Sequence, residues 1–145
     1  MQISGRFAVA VHILACIDYF QDTYTITSDF IATSVNTNPV IIRQIISLLK
    51  AAGLVEVSRG KGGMKLSAPK ENITLYDIYM AVESVKGKLF RLHPNPNPKC
   101  QVGKNIHSAL GVYLDEIQAS FEENLKAIKL SDIISRIVDD SQHTQ

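Results

Sequence analysis

Residues 36–68 read NTNPVIIRQIISLLKAAGLVEVSRGKGGMKLSA, a polar turn, an apolar helix and a glycine-rich hairpin in succession. Asn36-Thr37-Asn38 is turn chemistry, because Asn side chains hydrogen-bond nearby backbone and tolerate left-handed geometry. Pro39 then sits in the first turn of a helix, where its missing N–H costs nothing, with Asn38 as cap. That helix carries Ile41, Ile42, Ile45, Ile46, Leu48 and Leu49, and Gly53 is a natural C-terminal stop. After Gly53 the period changes. Leu54, Val55 and Val57 suggest a short strand, Arg59 to Gly63 a glycine-rich turn, and Met64, Leu66 and Ala68 a returning strand. A two-stranded hairpin is marginal alone and must pack on helices.

Upstream, a helix is expected over 3–20, with Phe7, Val11, Leu14 and Ala15 on one face. Gln21-Asp22-Thr23 breaks it. A short helix capped by Ser28 carries Phe30, Ile31 and Val35. Two short helices joined by a tight polar turn form a helix-turn-helix. The hairpin that follows makes it a winged helix. The expected fold is mainly α with a small β-hairpin: a winged helix-turn-helix domain plus a long C-terminal dimerisation helix.

Downstream, Thr74 and Asp77 resemble a capping box for a fourth helix, buried through Leu75, Ile78, Tyr79 and Val82. Pro94, Pro96 and Pro98 exclude regular helix over much of 86–104. A long helix is expected over 105–129. Its seam, Ile106, Leu110, Tyr113, Ile117, Phe121, Leu125 and Ile128, recurs every three or four residues. We read it as a dimer helix, with a helix buried in its own domain as the alternative. Ser131 would cap a last helix through Ile133, Ile134 and Ile137, followed by a frayed tail from Ser141. The expected organisation is a DNA-binding domain over 1–84, a sensor-type loop over 85–104, and dimerisation and terminal helices over 105–145.

The 145 residues are 46% hydrophobic and 20% charged, with a formal net charge of +1. Such a chain is neither wholly disordered nor histone-like. Two cysteines do not make a disulfide-stapled module, and no apolar run reaches membrane-spanning length. Asp18 interrupts the apolar N-terminus, so no signal peptide is read and a cytoplasmic protein is expected. The neutral total conceals asymmetry. Arg43, Lys50, Arg59, Lys61 and Lys65 face only Glu56, and Lys86, Lys88, Arg91, Lys99 and Lys104 face no acid. Beyond them acids dominate. This division suits a polyanion-binding end and a separate end with another task.

The stretch LLKAAGLVEVSRGKGGMKLSAPKENITLYDIYMAVE resembles the Rrf-two family of bacterial winged-helix transcription regulators. The likeness runs from Arg6 to the LSDII segment at 130–134, with Met64-Lys65 where the family usually has Gly-Tyr. Its small members without a cluster are the most similar. The resemblance implies a DNA-binding regulator and a wing Arg59 that enters the minor groove. It also implies that the family's base-reading glutamate is replaced by Arg43, whereas the neighbouring glutamine remains as Gln44.

The residues themselves agree. Thr37, Asn38, Val40, Arg43 and Gln44 lie at the exposed start of the second helix, which enters the major groove in such motifs. Gln pairs with adenine, Arg with guanine, and Val40 suits a thymine methyl. Arg59, Gly60 and Lys61 form a basic tip that can approach a duplex closely. Arg6 completes the candidate DNA-contacting set. The expected partners are double-stranded DNA with a palindromic operator and a second copy of the chain, with no membrane. A phosphate-binding loop is rejected, because strand rather than helix follows the glycines. A winged-helix interaction module without DNA binding is the alternative reading, and no catalytic constellation marks an enzyme.

Cluster-binding members of the family place three cysteines in the loop before the dimer helix. Here the equivalents fall near Pro94, at Cys100, and near Asn105 or Ile106, so one cysteine remains and neither cofactor nor metal is expected. His93 and His107 flank this site. Cys100 lies between Lys99 and Lys104 at a helix start, a setting that favours thiolate and redox sensing. An unreactive remnant of a cluster site is the equal alternative. Cys16 falls in the apolar first helix and is expected to be buried. A small ligand between the wing domain and the dimer helix is the remaining possibility for a signal.

Overall fold

The computed structural model describes residues 5–83 and 88–143. Helix α1 spans Gly5–Phe20. Ala10, Ile13, Leu14 and Ile17 are wholly buried, with Ala15 and Cys16 nearly so. Phe7 and Val11, expected on the inner face, are only half-buried. The cause is position: α1 is apolar on most sides and packs against helices to either side as well as the sheet.

Helix α2 (Ser28–Val35) is capped by Thr27, one residue before the expected Ser28. The Thr27 hydroxyl accepts the Phe30 N–H at 3.1 Å. Asn36 ends it in the left-handed region at φ 61°, where Asn is among the few non-glycine residues at ease. Helix α3 (Pro39–Ala51) starts on Asn38, whose side-chain carbonyl oxygen accepts the Val40 N–H at 2.8 Å. Its buried row is Ile42, Ile45, Ile46 and Leu49. Ile41 and Leu48 fall outside this row and are exposed. At the C-terminus Ala52 is the cap and Gly53 follows at φ 76°. The Gly53 and Leu54 amides close back on the Lys50 and Leu49 carbonyls, each at 3.0 Å.

Strands β1 (Val55–Val57) and β2 (Met64–Leu66) pair antiparallel, Val57 opposite Met64 and Val55 opposite Leu66. The Met64 N–H donates to the Ile26 carbonyl at 3.0 Å, which fastens this short hairpin to the segment before α2. Helix α4 (Leu75–Val82) has a full capping box between Thr74 and Asp77.

Helix α5 runs from Gln101 to Ala127, four residues earlier at its start than expected, with Cys100 as its cap residue. Beyond Pro98 no proline prevents helix. Gly103 fits in the first turn because a Cβ there would overlap the Asn97 backbone. The helix stops before Lys129 because the Leu75 N–H donates to the Ile128 carbonyl and the Leu130 N–H to the Ile73 carbonyl, at 2.9 and 2.8 Å. Helix α6 then begins at Leu130, with Lys129 rather than Ser131 as its cap residue, and continues through Gln142. The Asp132 carboxylate accepts the Lys129 N–H at 2.8 Å. Ser141 and Gln142, where fraying was expected to begin, are still helical, and residues 144–145 lie outside the described residues. Lys86 and the expected boundary at 84–85 lie outside the described residues.

Gly63 holds φ 68°, and a Cβ there would meet the Ile26 oxygen at 2.9 Å and the Ile26 nitrogen at 3.0 Å. Gly63→Ala should therefore cost about 1–3 kcal/mol, from backbone strain and displacement of the hairpin. A urea midpoint equal to that of the wild type contradicts this account.

Candidate nucleic-acid interface

The inner row of α3 leaves a coherent outer face of Val40, Arg43, Gln44 and Ser47, flanked by Ile41, Leu48 and Lys50, all exposed. Thr37 and Asn38 sit in the turn, Thr37 half-buried and Asn38 engaged in capping. Val40 is 52% exposed. Two features of this face were not legible in the sequence. The Ser47 hydroxyl donates to the Arg43 carbonyl at 3.0 Å. The Arg43 guanidinium lies 3.8 Å from the Asp29 carboxylate on α2. Both groups of that pair are well exposed, so the attraction is weak and easily exchanged for another anion.

Beyond β1, Arg59, Gly60 and Lys61 form the hairpin tip, and all three are exposed. Gly60 holds φ 79° and opens a single turn of tight helix across the tip. The Ser58 N–H donates to the Gly63 carbonyl at 2.9 Å and closes it. Arg59 and Lys61 have no acidic partner among the described residues. Their charge is open to an external polyanion. Arg6 is placed differently: its guanidinium donates to the Val82 carbonyl at 3.4 Å, tying the start of α1 to the end of α4.

The expected seam of α5 divides in two. Phe121 turns inward, its ring 5.5 Å from that of Tyr79 in an edge contact. Leu125 and Ile106 are half-buried, whereas Tyr113, Ile117 and Leu110 are 65%, 50% and 39% exposed. Val102, 70% exposed, continues the outward strip. Burial, and then the negative charges of Glu83 and Glu122, push the Tyr79 phenol up.

The loop before α5 gathers the other candidates. The His107 Nε2–H donates to the His93 carbonyl at 2.8 Å, with the rings 5.2 Å apart. Among the described residues no three metal-ligating side chains converge. Cys100 is the one cysteine here, since Cys16 is buried in α1. This donor set does not fit an iron–sulfur cluster. The Cys100 thiol is exposed at the start of α5, and the backbone amides of Gly103 and then Val102 hold its pKa below the ordinary value.

An exposed reading helix beside a basic wing defines a winged-helix DNA-binding protein. The Rrf2 family, described as an iron-dependent transcriptional regulator, matches residues 3–136, and the chain belongs to that family. It is 41% identical over 135 residues to YwnA of Bacillus subtilis, a candidate HTH-type transcriptional regulator, covering 93% of this chain and 98% of YwnA. A crystal structure of a candidate DNA-binding protein is 38% identical, with TM-score 0.72 over 89% of this chain and 98% of its own. CymR, the global cysteine regulator of B. subtilis, shares the fold at 23% identity and TM-score 0.71, covering 94% of this chain and 98% of CymR. The chain is thus a transcriptional regulator, DNA-binding by its fold, in a family of regulators and not of enzymes. No helix among the described residues is long and apolar enough to cross a membrane.

A lowered pKa raises the thiolate fraction at every pH below the ordinary thiol value. Iodoacetamide should therefore alkylate Cys100 before Cys16, with a rate–pH midpoint below that of free cysteine. A midpoint at or above the free thiol's, read by mass spectrometry of the two peptides, contradicts this.

Proposed function

We propose that the chain is a cytoplasmic, homodimeric repressor that reads a palindromic double-stranded DNA site. The observation that carries the reading is the shared exposure of the α3 outer face and of a basic wing tip without acidic partners among the described residues. In this reading Gln44 and Arg43 approach base edges in the major groove, Arg43 exchanging Asp29 for DNA. Val40 meets a thymine methyl. Thr37, Asn38, Lys61 and the Gly60 backbone position the domain on phosphates, with Arg59 in the minor groove. Arg6 acts indirectly, by holding α1 to α4. Repression is the output that occupancy alone delivers, because a covered promoter excludes polymerase.

The dimer is supported by α5, in which none of the 27 residues is buried. An exposed strip of Val102, Leu110, Tyr113 and Ile117 is costly in water and suits a second copy of the same strip. Ile106 lies between the strips, while Phe121 and Leu125 brace the helix against its own domain. Two recognition helices so joined would meet half-sites about one helical turn apart.

The exposed Cys100 thiol, its pKa lowered by the backbone amides of Gly103 and Val102, supports a redox response. A peroxide would oxidise it to sulfenic acid, and condensation with a small thiol would release water and leave a mixed disulfide. The adduct would sit at the first turn of α5 and could alter the spacing of the half-sites.

The test of DNA reading is a selection of bound duplexes from a random pool, followed by titration of Arg59→Ala at several salt concentrations. Arg59→Ala should weaken binding and flatten the salt slope by roughly one unit for each phosphate it no longer neutralises, without a change in fold. Equal affinity and slope remove the wing from the interface, and a pool with no enriched sequence sinks the sequence-specific reading.

The dimer is tested at Ile117, whose exposure makes it replaceable without disturbing the monomer. Ile117→Glu should sediment as a folded monomer while the wild type sediments as a dimer. A wild-type monomer at micromolar concentration overturns the arrangement.

A further inference from the structure

A cleft of about 340 Å³ opens between α1, α2 and α6, away from the wing tip and the outer face of α3. Its volume lies in the range of small-molecule sites. One wall is aromatic, formed by Tyr19 and Phe20, whose rings meet edge to face at 4.8 Å. The opposite wall is Ile134 and Ile137 of α6. At one end the surface becomes polar. The Cys16 thiol donates to the Ser34 hydroxyl oxygen at 3.3 Å, and the His12 Nε2 pairs with that oxygen at 2.8 Å.

A hydroxyl has one proton and two lone pairs. Cys16 occupies one lone pair. His12 takes either the proton or the second lone pair, according to its tautomer. One position is left over, as an acceptor in the first case and a donor in the second. A ligand hydroxyl, able to donate or accept, matches both. The lining holds no Lys, Arg, Asp or Glu, so a charged ligand would lose hydration without gaining an ion pair.

We propose that this cleft is an effector site for a small uncharged aromatic alcohol. Its ring lies between the aromatic and isoleucine walls, and its hydroxyl bonds to Ser34. Such a ligand touches α2 and α6 at once. Ser34 is in the last turn of α2, directly before the turn of the helix-turn-helix, and Ile134 and Ile137 belong to α6, which continues from α5. Occupation therefore biases the position of the reading domain relative to the dimer helix. This regulatory consequence rests on the DNA-binding reading above; the binding itself does not.

Equilibrium dialysis of 2-naphthol against the full chain, without DNA, tests the site. Saturable binding is expected, about tenfold weaker in Ser34→Ala and lost in Ile137→Trp, whose larger side chain fills the cleft from its open side. Circular dichroism checks the fold of both variants, and Ser34→Ala alone decides if Ile137→Trp does not fold. 2-Naphthoate, the charged analogue, should bind at least about tenfold more weakly. Absence of saturable binding, or equal binding by wild type and folded variants, overturns the site. A DNA titration with and without 2-naphthol then reads the coupling. A shift in affinity in the wild type but not in Ser34→Ala supports it, and bound naphthol with unchanged DNA affinity overturns the effector role. Failure of the DNA reading would leave the dialysis result intact, so the two are separable.

Discussion

Everything in this chain is arranged around the burial of α1. Its sequence is apolar on most of its circumference, and a helix of that kind must be covered on more than one side. Ile13, Leu14 and Ile17 are completely enclosed, and each such side chain contributes about 1.5–3 kcal/mol by leaving water. The covering elements are α2, α3, α4, β2 and α6. Because α3 must turn Ile42, Ile45, Ile46 and Leu49 toward this core, helical geometry sends Val40, Arg43, Gln44 and Ser47 outward. The candidate reading face is thus a consequence of packing and needs no separate device.

The wing is held by a different kind of constraint. Three residue pairs of sheet are too few to stand in water. The hairpin persists because Val55 and Met64 are buried in the same core and because the Met64 amide reaches the Ile26 carbonyl. Gly63 makes that approach possible, since any side chain at this position would collide with Ile26. A rigid base with an exposed basic tip follows: the anchored end fixes the direction of the hairpin, while Arg59 and Lys61 reach into solvent.

The C-terminal helices are coupled to this domain by a short backbone bridge. Residues 73–75 and 128–130 exchange hydrogen bonds as two strands would, between buried Ile73 and buried Leu130. This ends α5 and returns α6 to α1, which creates the cleft. It also pins the far end of α5 to the first residue of α4. Phe121 against Tyr79 reinforces the same junction.

The helix-turn-helix and wing were legible because their signals are local. Asn38-Pro39, the left-handed Asn36, the stop at Gly53 and Gly60 at the wing tip each act within a few residues of themselves, and a cap or turn needs no distant partner; Gly63, set against Ile26, is the exception. The exposed basic tip was legible for the same reason. The sequence misjudged features in which competing partners decide. The seam of α5 gave one stripe of apolar residues, but only tertiary packing showed that Phe121 turns to Tyr79 of α4 and Leu125 is half-buried, while Tyr113 and Ile117 face outward. Helical spacing cannot distinguish two adjacent strips on a wide apolar face. The end of α5 and the start of α6 were set by backbone partners some fifty residues away beside α4, overriding the local capping preference of Ser131. The pairing of Arg43 with Asp29, of Arg6 with Val82, and of Ser34 with His12 and Cys16 lies wholly in the fold. Local signals along the chain specify which segments become helix, turn and wing; which faces meet follows from packing, because burial is a property of neighbours that the chain brings together only on folding.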